Sequence, residues 1–191
     1  SVFHSISAFC NAGFDILGTT DHTFVSLTGY SRNIWLNIVI MLLIILGGIG
    51  FLTWEDFYTN KFKFKRYRMQ SKVILITTAI LIIAPAVFFF ACDFGNLPAG
   101  KRLLASVFQS VTTRTAGFNT EDLSLMTEAG KAVMILLMLI GGSPSSTAGG
   151  MKTTTFAVLI LNALATFRSR EDAGAFGRRF DGQVVKNAAT I

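Results

Sequence analysis

The stretch Thr112-Thr113-Arg114-Thr115-Ala116-Gly117-Phe118-Asn119-Thr120 lies between two long apolar runs, and the earlier stretch Phe9-Cys10-Asn11-Ala12-Gly13-Phe14-Asp15 resembles it. Each copy follows a short, mildly apolar segment, residues 1–8 and 103–111, and both segments carry the tripeptide Ser-Val-Phe. A spanning helix needs about 20 apolar residues, and runs of about 10 to 14 are often re-entrant. Each copy therefore predicts a helix that enters a membrane partway, followed by a turn back.

A turn at membrane depth leaves backbone carbonyls that lipid cannot satisfy, so it survives where protein buries it or where it lines an aqueous path. A cation could satisfy those carbonyls, as in the T-V-G-Y-G loop of potassium channels. The segment 115–119 matches that template position by position, and 11–15 matches it less well. Gly13 and Gly117 matter most, because glycine adopts positive φ freely and lets backbone approach a ligand closely.

The composition indicates a membrane protein. The chain has 191 residues, of which 51% are hydrophobic, and its mean hydropathy is +0.54. Two uncharged runs, 34–54 and 73–92, are each about 20 residues long, which is enough to span a bilayer. Pro85 is expected to kink the second span. Neither run has the features of a signal peptide, since both are internal.

The net charge of +6 is clustered. Basic residues are concentrated in 61–72, between the two runs, and after the last apolar run. The excess of Lys and Arg places segments 55–72 and 168–183 in the cytoplasm, and we interpret it as a topology or membrane-surface signal rather than a nucleic-acid site. Cys10, Cys92, His4 and His22 are isolated and form no metal-ligand spacing.

The third span is interrupted. Residues 132–140 are apolar, residues 141–150 contain four glycines and a proline, and the apolar pattern resumes at 153–167. Proline costs about 3 kcal/mol inside a helix and glycine about 1, so this sequence predicts two half-helices joined by an unwound segment. We interpret that segment as a gate beneath the second turn. The gate residues are Gly141, Gly142, Ser143, Pro144, Ser145, Ser146, Thr147, Ala148, Gly149, Gly150 and Lys152.

The order of elements repeats in the same orientation. Residues 1–72 hold a pore helix, a turn, an inner helix and a basic cytoplasmic loop, and 73–170 hold a complete repeat with a broken inner helix. Residues 171–191 form a connection and the start of another repeat, with a helix beginning near Val184. The predicted fold is an all-α membrane protein of repeated helix, re-entrant pore loop and helix units.

At this point the residues resemble a known family. The stretches 3–14, 112–119 and 141–152 are similar to those of the Trk/Ktr/HKT potassium transporter superfamily, most of all to the membrane subunits of bacterial Ktr systems. In that family four repeats form a pseudo-fourfold, potassium-channel-like pore. The resemblance covers the second repeat from its pore helix, the third repeat and the start of the fourth. Cys10 stands where the family pattern suggests asparagine.

The resemblance implies potassium uptake through a carbonyl-lined filter, without catalysis or cofactor. The implied K⁺-binding carbonyls are those of Asn11, Ala12, Gly13, Phe14, Thr115, Ala116, Gly117 and Phe118. Arg114 and Asn119 would support the filter, and Arg114 could pair with Glu121 or Asp122. K⁺ is the implied metal ion, no transition-metal site is expected, and coupling to Na⁺ is left open.

The same resemblance implies partners. The membrane subunits of the family form homodimers and bind a cytosolic ring of nucleotide-binding regulatory subunits, for which the basic segments 61–72 and 168–179 are candidate contacts. The implied location is the cell membrane, with several spans. No nucleic-acid partner is expected.

An alternative of another class is an intramembrane serine hydrolase. Ser143, Ser145 or Ser146 would be the nucleophile and Lys152 or His4 the base. This reading leaves the duplicated Ala-Gly-Phe turns unexplained. A nucleotide-binding P-loop at 142–153 fails on spacing, because Met151 stands where that motif needs glycine.

Overall fold

The apolar runs form helices in a computed structural model that describes residues 1–18, 25–61, 63–169, 174–176 and 178–190. The helices are α1 (Val2–Phe9), α2 (Ile34–Ile49), α3 (Phe51–Asn60), α4 (Met69–Cys92), α5 (Ala99–Thr112), α6 (Glu128–Leu139), α7 (Thr153–Phe167) and α8 (Gly182–Ala189). One short antiparallel pair, β1 (Gly174–Ala175) with β2 (Arg178–Arg179), accompanies them. The mostly helical fold class is confirmed. The expected loop residue His22 and the charged residue Arg170 lie outside the described residues.

Helix α4 is long enough to cross a bilayer alone. Its 24 residues rise by about 36 Å at 1.5 Å per residue, compared with a hydrocarbon core about 30 Å thick. Pro85 lies inside it without ending the helix, so the expected kink does not divide the span. Helix α8 begins at Gly182, two residues before the predicted start.

The predicted single span 34–54 is wrong in one respect. Helix α2 ends at Ile49, and α3 continues from Phe51 at an angle of 96° to it. Gly50 forms the corner with φ +93°, a conformation that glycine adopts without the steric cost of a Cβ. The Trp54 indole N–H reaches back across the corner to the Leu46 carbonyl at 3.1 Å.

A buried carboxylate fixes α3 at the start of α4. Asp56 is 3% exposed and accepts hydrogen bonds from the Ser71 hydroxyl at 2.6 Å and the Arg68 backbone N–H at 3.0 Å. Since α4 starts at Met69, this contact holds α3 at one end of the full span. Because α3 leaves α2 at an angle of 96°, it runs across the direction of α2 where α4 begins.

Two apolar clusters hold the helices together. The first joins α1, α2 and α5 with the second turn, and its members are Ala8, Leu27, Ile40, Met41, Ile44, Phe108, Val111, Ala116 and Phe118. The second joins α4, α5 and α6. Helix α5 contributes to both, and it begins at Ala99, earlier than the predicted start at residue 103. The clusters place the second turn in the interior.

Candidate functional site

The two turns that interrupt the helical pattern share one backbone conformation. Asn11 and Gly13 have φ values of 52° and 71°, and Thr115 and Gly117 have 73° and 85°. The residue between them, Ala12 or Ala116, does not have positive φ. The two turns are therefore built alike, with positive φ at the first and third of three successive residues.

The two turns lie against each other. A Cβ placed on Gly13 would come within 1.9 Å of the Ala116 carbonyl oxygen, and one placed on Gly117 would lie 3.9 Å from the Gly13 Cα. No side chain could occupy position 13 without moving the backbone of Ala116. Gly13 is thus required by close approach as well as by its positive φ.

Six carbonyl oxygens in these turns accept no hydrogen bond from any described residue: those of Asn11, Ala12, Gly13, Thr115, Ala116 and Gly117. The remaining two expected ligands differ. The Phe14 carbonyl accepts the Ser7 hydroxyl at 2.8 Å, and the Phe118 carbonyl accepts the Thr112 hydroxyl at 2.7 Å. These six oxygens therefore keep their full capacity to accept a partner from outside the two turns.

Helices α1 and α5 end directly at the two turns, at Phe9 and Thr112. The carboxyl end of a helix carries a partial negative charge, equivalent to roughly half an electron, which favours a nearby cation. The turns are therefore electrostatically suited to a positive ion rather than an anion.

The phenylalanines that follow the two glycines have different environments. Phe118 is 0% exposed and packs in the first apolar cluster, whereas Phe14 is 70% exposed. The second turn is anchored further by the backbone of Asn119, whose N–H donates to the Ser26 hydroxyl at 3.0 Å and whose carbonyl accepts the Leu27 N–H at 2.9 Å. Asn119 thus ties the second turn to residues 26 and 27 through its backbone.

Arg114 contacts the unwound segment of the third span. Its guanidinium is buried, and its Nη2 donates to the Gly141 carbonyl at 3.4 Å. Within the described residues it forms no ion pair, so the suggested pairing with Glu121 or Asp122 is wrong. Arg114 therefore links the second turn to the segment 141–152.

Glu121 and Asp122, in the loop after the second turn, titrate differently. Burial raises the pKa of the Glu121 carboxyl, and the positive charge of Lys101 partly opposes that rise. Hydrogen bonds from the Ser124 hydroxyl and N–H lower the pKa of Asp122. As the pH falls, Asp122 therefore keeps its negative charge longer than Glu121 does.

The unwound segment between α6 and α7 is ordered by hydrogen bonds within itself. The Gly141 N–H donates to the Met151 carbonyl at 2.9 Å, and the Gly142 N–H donates to the Gly149 carbonyl at 3.3 Å. A Cβ on Gly141 would lie 1.7 Å from the Gly149 oxygen. As predicted, two half-helices, α6 and α7, are joined by an unwound segment, which forms a folded loop.

That loop packs on the glycine-rich end of α2. The Ser143 and Thr147 N–H groups donate to the carbonyls of Gly48 and Gly47 at 2.9 and 3.3 Å. At the corner, the Phe51 N–H donates to the Ser145 carbonyl at 2.9 Å. The Thr147 hydroxyl also reaches the carbonyl of Phe9, at the end of α1, at 2.8 Å. The loop is therefore connected to the first turn and to both α2 and α3.

The serine and lysine side chains of the loop do not form a nucleophile and base pair. Ser143 is 0% exposed and shares a hydrogen bond of 3.0 Å with Thr153, and the Lys152 ammonium donates to the Ala148 carbonyl at 2.8 Å. The His4 ring lies against Ser1. Among the described side chains, none of these serines is hydrogen-bonded to a candidate base.

Ser7 and Thr112 hold the two turns by hydrogen bonds that sequence reasoning missed. They occupy corresponding places in the two repeats, each ahead of the carbonyl it binds, and this repetition is a usable signal. Thr147 is a predicted gate residue whose bonds to Phe9 and Asn11 were not predicted. They connect residues 136 or more apart in sequence, and no local pattern reveals such a contact.

Comparison with known proteins agrees with this architecture. A family model described as TrkH, cation transport protein, matches residues 1–191. The potassium/sodium uptake protein NtpJ of Enterococcus hirae is 40% identical over 196 residues, covering 100% of this chain and 42% of that protein. Ktr system potassium uptake protein B of Bacillus subtilis is 35% identical over 197 residues, covering 100% of this chain and 43% of that protein.

The fold is also similar to a solved one. The crystal structure of the potassium transporter TrkH from Vibrio parahaemolyticus superimposes with a TM-score of 0.74 at 18% sequence identity, over 98% of this chain and 40% of that one. The chain thus spans 42 to 43% of the length of those two curated relatives. On the match of the family model to its whole length, the chain belongs to the TrkH family of cation transport proteins.

Proposed function

We propose that this chain forms part of a potassium-uptake path through the cell membrane. The observation that carries the proposal is the set of six unpaired carbonyls on two touching turns, at the carboxyl ends of α1 and α5. Carbonyl oxygens of this kind replace the water shell of a potassium ion in channel filters. K⁺ is the transported ion, and no reaction is catalysed. One relative is named a potassium/sodium uptake protein and another a potassium uptake protein, which supports this assignment.

The carbonyls of Phe14 and Phe118 also accept hydroxyls of the pore helices, which fixes the two turns. A carbonyl oxygen has two lone pairs, so one hydrogen bond leaves it able to bind a cation. The proposed ligand set therefore remains the carbonyls of Asn11, Ala12, Gly13, Phe14, Thr115, Ala116, Gly117 and Phe118.

The loop 141–152 is the proposed gate. It is an unwound segment between two half-helices, bonded to the end of α1 through Thr147 and to Arg114 through Gly141. Irregular backbone at membrane depth is tolerated where it lines a cavity or is covered by protein. Displacement of this loop would break bonds to both turns, which couples its position to the filter.

The complete protein is proposed to be a multi-pass membrane protein that forms a homodimer and binds a cytosolic nucleotide-binding ring. The basic segments 61–72 and 168–179 are its candidate contacts. One relative is named as part of a Ktr system, which supports a partner. The serine hydrolase alternative has no support from the contacts of Ser143 or Lys152.

The proposal is tested by Gly117→Ser in the full-length transporter. A Cβ at Gly117 has room, but its φ of +85° is strained for serine, so the turn should change shape without loss of the fold. We expect the K⁺ over Na⁺ selectivity in proteoliposome flux to fall roughly tenfold, which is about 1.4 kcal/mol of discrimination.

Gly95→Ser is the matched control, because a Cβ at Gly95 meets no atom within 4 Å. It should leave selectivity unchanged. If Gly117→Ser folds and keeps the selectivity of the wild type, the carbonyl-filter proposal fails.

A further inference from the structure

A small cavity lies behind the two turns, between α2, α4 and α5. Its volume is about 10 Å³ and its walls include Asn11, Gly48, Thr78, Arg114 and Gly142. It therefore touches the first turn, the residue before the second turn and the gate loop. A single water molecule needs about 10 to 15 Å³ of this kind of space.

Three of the residues lining this cavity carry buried polar atoms that form no hydrogen bond with any described residue: Asn11 Oδ1, Thr78 Oγ1 and Arg114 Nε. The three residues are 7%, 6% and 8% exposed. Leaving one buried polar group unsatisfied costs about 1 to 3 kcal/mol. Three such groups around one cavity indicate a shared ligand.

The orientation of the Asn11 amide is fixed by its neighbours. The Thr147 hydroxyl uses its proton to bond the Phe9 carbonyl at 2.8 Å. Its oxygen can then only accept, so the atom of Asn11 that faces it at 3.1 Å is the donor Nδ2. Asn11 Oδ1 is therefore an acceptor that requires a donor.

The chemistry of the three atoms selects the ligand. Arg114 Nε–H must donate, Asn11 Oδ1 must accept, and the Thr78 hydroxyl can do either. A cation is repelled by the Arg114 charge, and an anion is repelled by Asn11 Oδ1. Water satisfies all three, since it donates and accepts at once.

We propose that this cavity binds one structural water molecule that bridges Asn11, Thr78 and Arg114. Because Arg114 also bonds the Gly141 carbonyl and Asn11 bonds Thr147, the water closes a polar ring that joins both turns to the gate loop. Thr78, in the middle of the outer helix α4, is the positioning residue of this ring. This inference does not depend on which ion is carried.

The test is a structure of the full-length transporter at a resolution that shows ordered water. We expect one density peak within about 3.3 Å of the three atoms, a hydrogen-bonding distance, and no anomalous X-ray signal there from crystals prepared in bromide. An absent peak, or an anomalous peak that identifies an anion, would overturn the proposal.

Thr78→Val tests the third partner, with Thr78→Ser as the conservative variant and Thr77→Val as the matched control. Thr78→Val should weaken the peak and lower the unfolding temperature more than Thr77→Val, and Thr78→Ser should restore both. A peak that persists at full strength in Thr78→Val, or equal unfolding temperatures in the two valine variants, removes Thr78 from the site and contradicts the three-way bridge.

Discussion

At the residue scale, the two glycines of the turns have different structural roles although their sequence contexts match. Gly13 and Gly117 both have positive φ, but only the Cβ of a residue at 13 would collide with backbone, at 1.9 Å from the Ala116 oxygen. Gly117 has space beside it. Gly13 is thus required for the packing of the two turns as well as for its own positive φ, whereas Gly117 is required only for its positive φ.

This difference predicts unequal effects of alanine. Positive φ costs a non-glycine residue about 1 to 2 kcal/mol, and both variants incur that cost. Gly13→Ala adds the backbone clash, so it should sharply reduce the yield of folded full-length protein, whereas Gly117→Ala should fold in near-normal amounts. Size-exclusion chromatography of the purified variants measures the yield, with Gly95→Ala as the control.

Equal yields of Gly13→Ala and Gly117→Ala would contradict the close approach of the two turns. That result would also weaken the proposed filter, which requires them to lie together.

At the scale of elements, the corner between α2 and α3 contacts the loop 141–152. Gly50 permits the 96° turn, and a Cβ there would lie 2.5 Å from the Pro144 oxygen of the loop. The next residue, Phe51, bonds the Ser145 carbonyl. Movement of α3 would therefore change these contacts with the loop 141–152.

The attachment of α3 to α4 depends on one buried carboxylate. Asp56→Ala removes the acceptor of the Ser71 hydroxyl and of the Arg68 N–H. Hydrogen bonds to a charged group contribute about 1.5 to 3 kcal/mol, so the variant should lose about 2 to 3 kcal/mol of stability. The unfolding free energy of the full-length protein in detergent is the measurement.

Glu55→Ala is the matched control. Glu55 forms an ion pair with the Arg68 guanidinium at 3.1 Å, but both side chains are more than half exposed. Exposed ion pairs contribute about 0 to 1 kcal/mol of stability. If the two variants lose equal stability, Asp56 is not the residue that holds α3 in place.

At the scale of the whole molecule, the basic segment 61–72 connects α3 to the long helix α4. Helix α4 leads from that segment to the loop after Cys92. Because lysine and arginine are retained on the cytoplasmic side, residues near 63 and near 96 should lie on opposite faces of the membrane.

Cysteine labelling tests this arrangement. In a full-length protein whose native cysteines, including Cys10 and Cys92, are replaced by serine, Lys63→Cys and Asn96→Cys place one thiol at each exposed site. A membrane-impermeant maleimide should label Asn96→Cys in intact cells and Lys63→Cys only after permeabilisation. The reverse pattern, or equal labelling in intact cells, would overturn the topology.

The sequence alone determined the features that depend on neighbouring residues. The apolar run 73–92, the duplicated turns with Gly13 and Gly117, and the break at 141–150 all follow from local composition, because helix propensity and positive φ act within a few residues. The tertiary structure decided the corner at Gly50, the hydrogen bond from Arg114 to Gly141, and the burial of Phe118 but not of Phe14. These depend on contacts between segments far apart in sequence, for which a single sequence has no local signal.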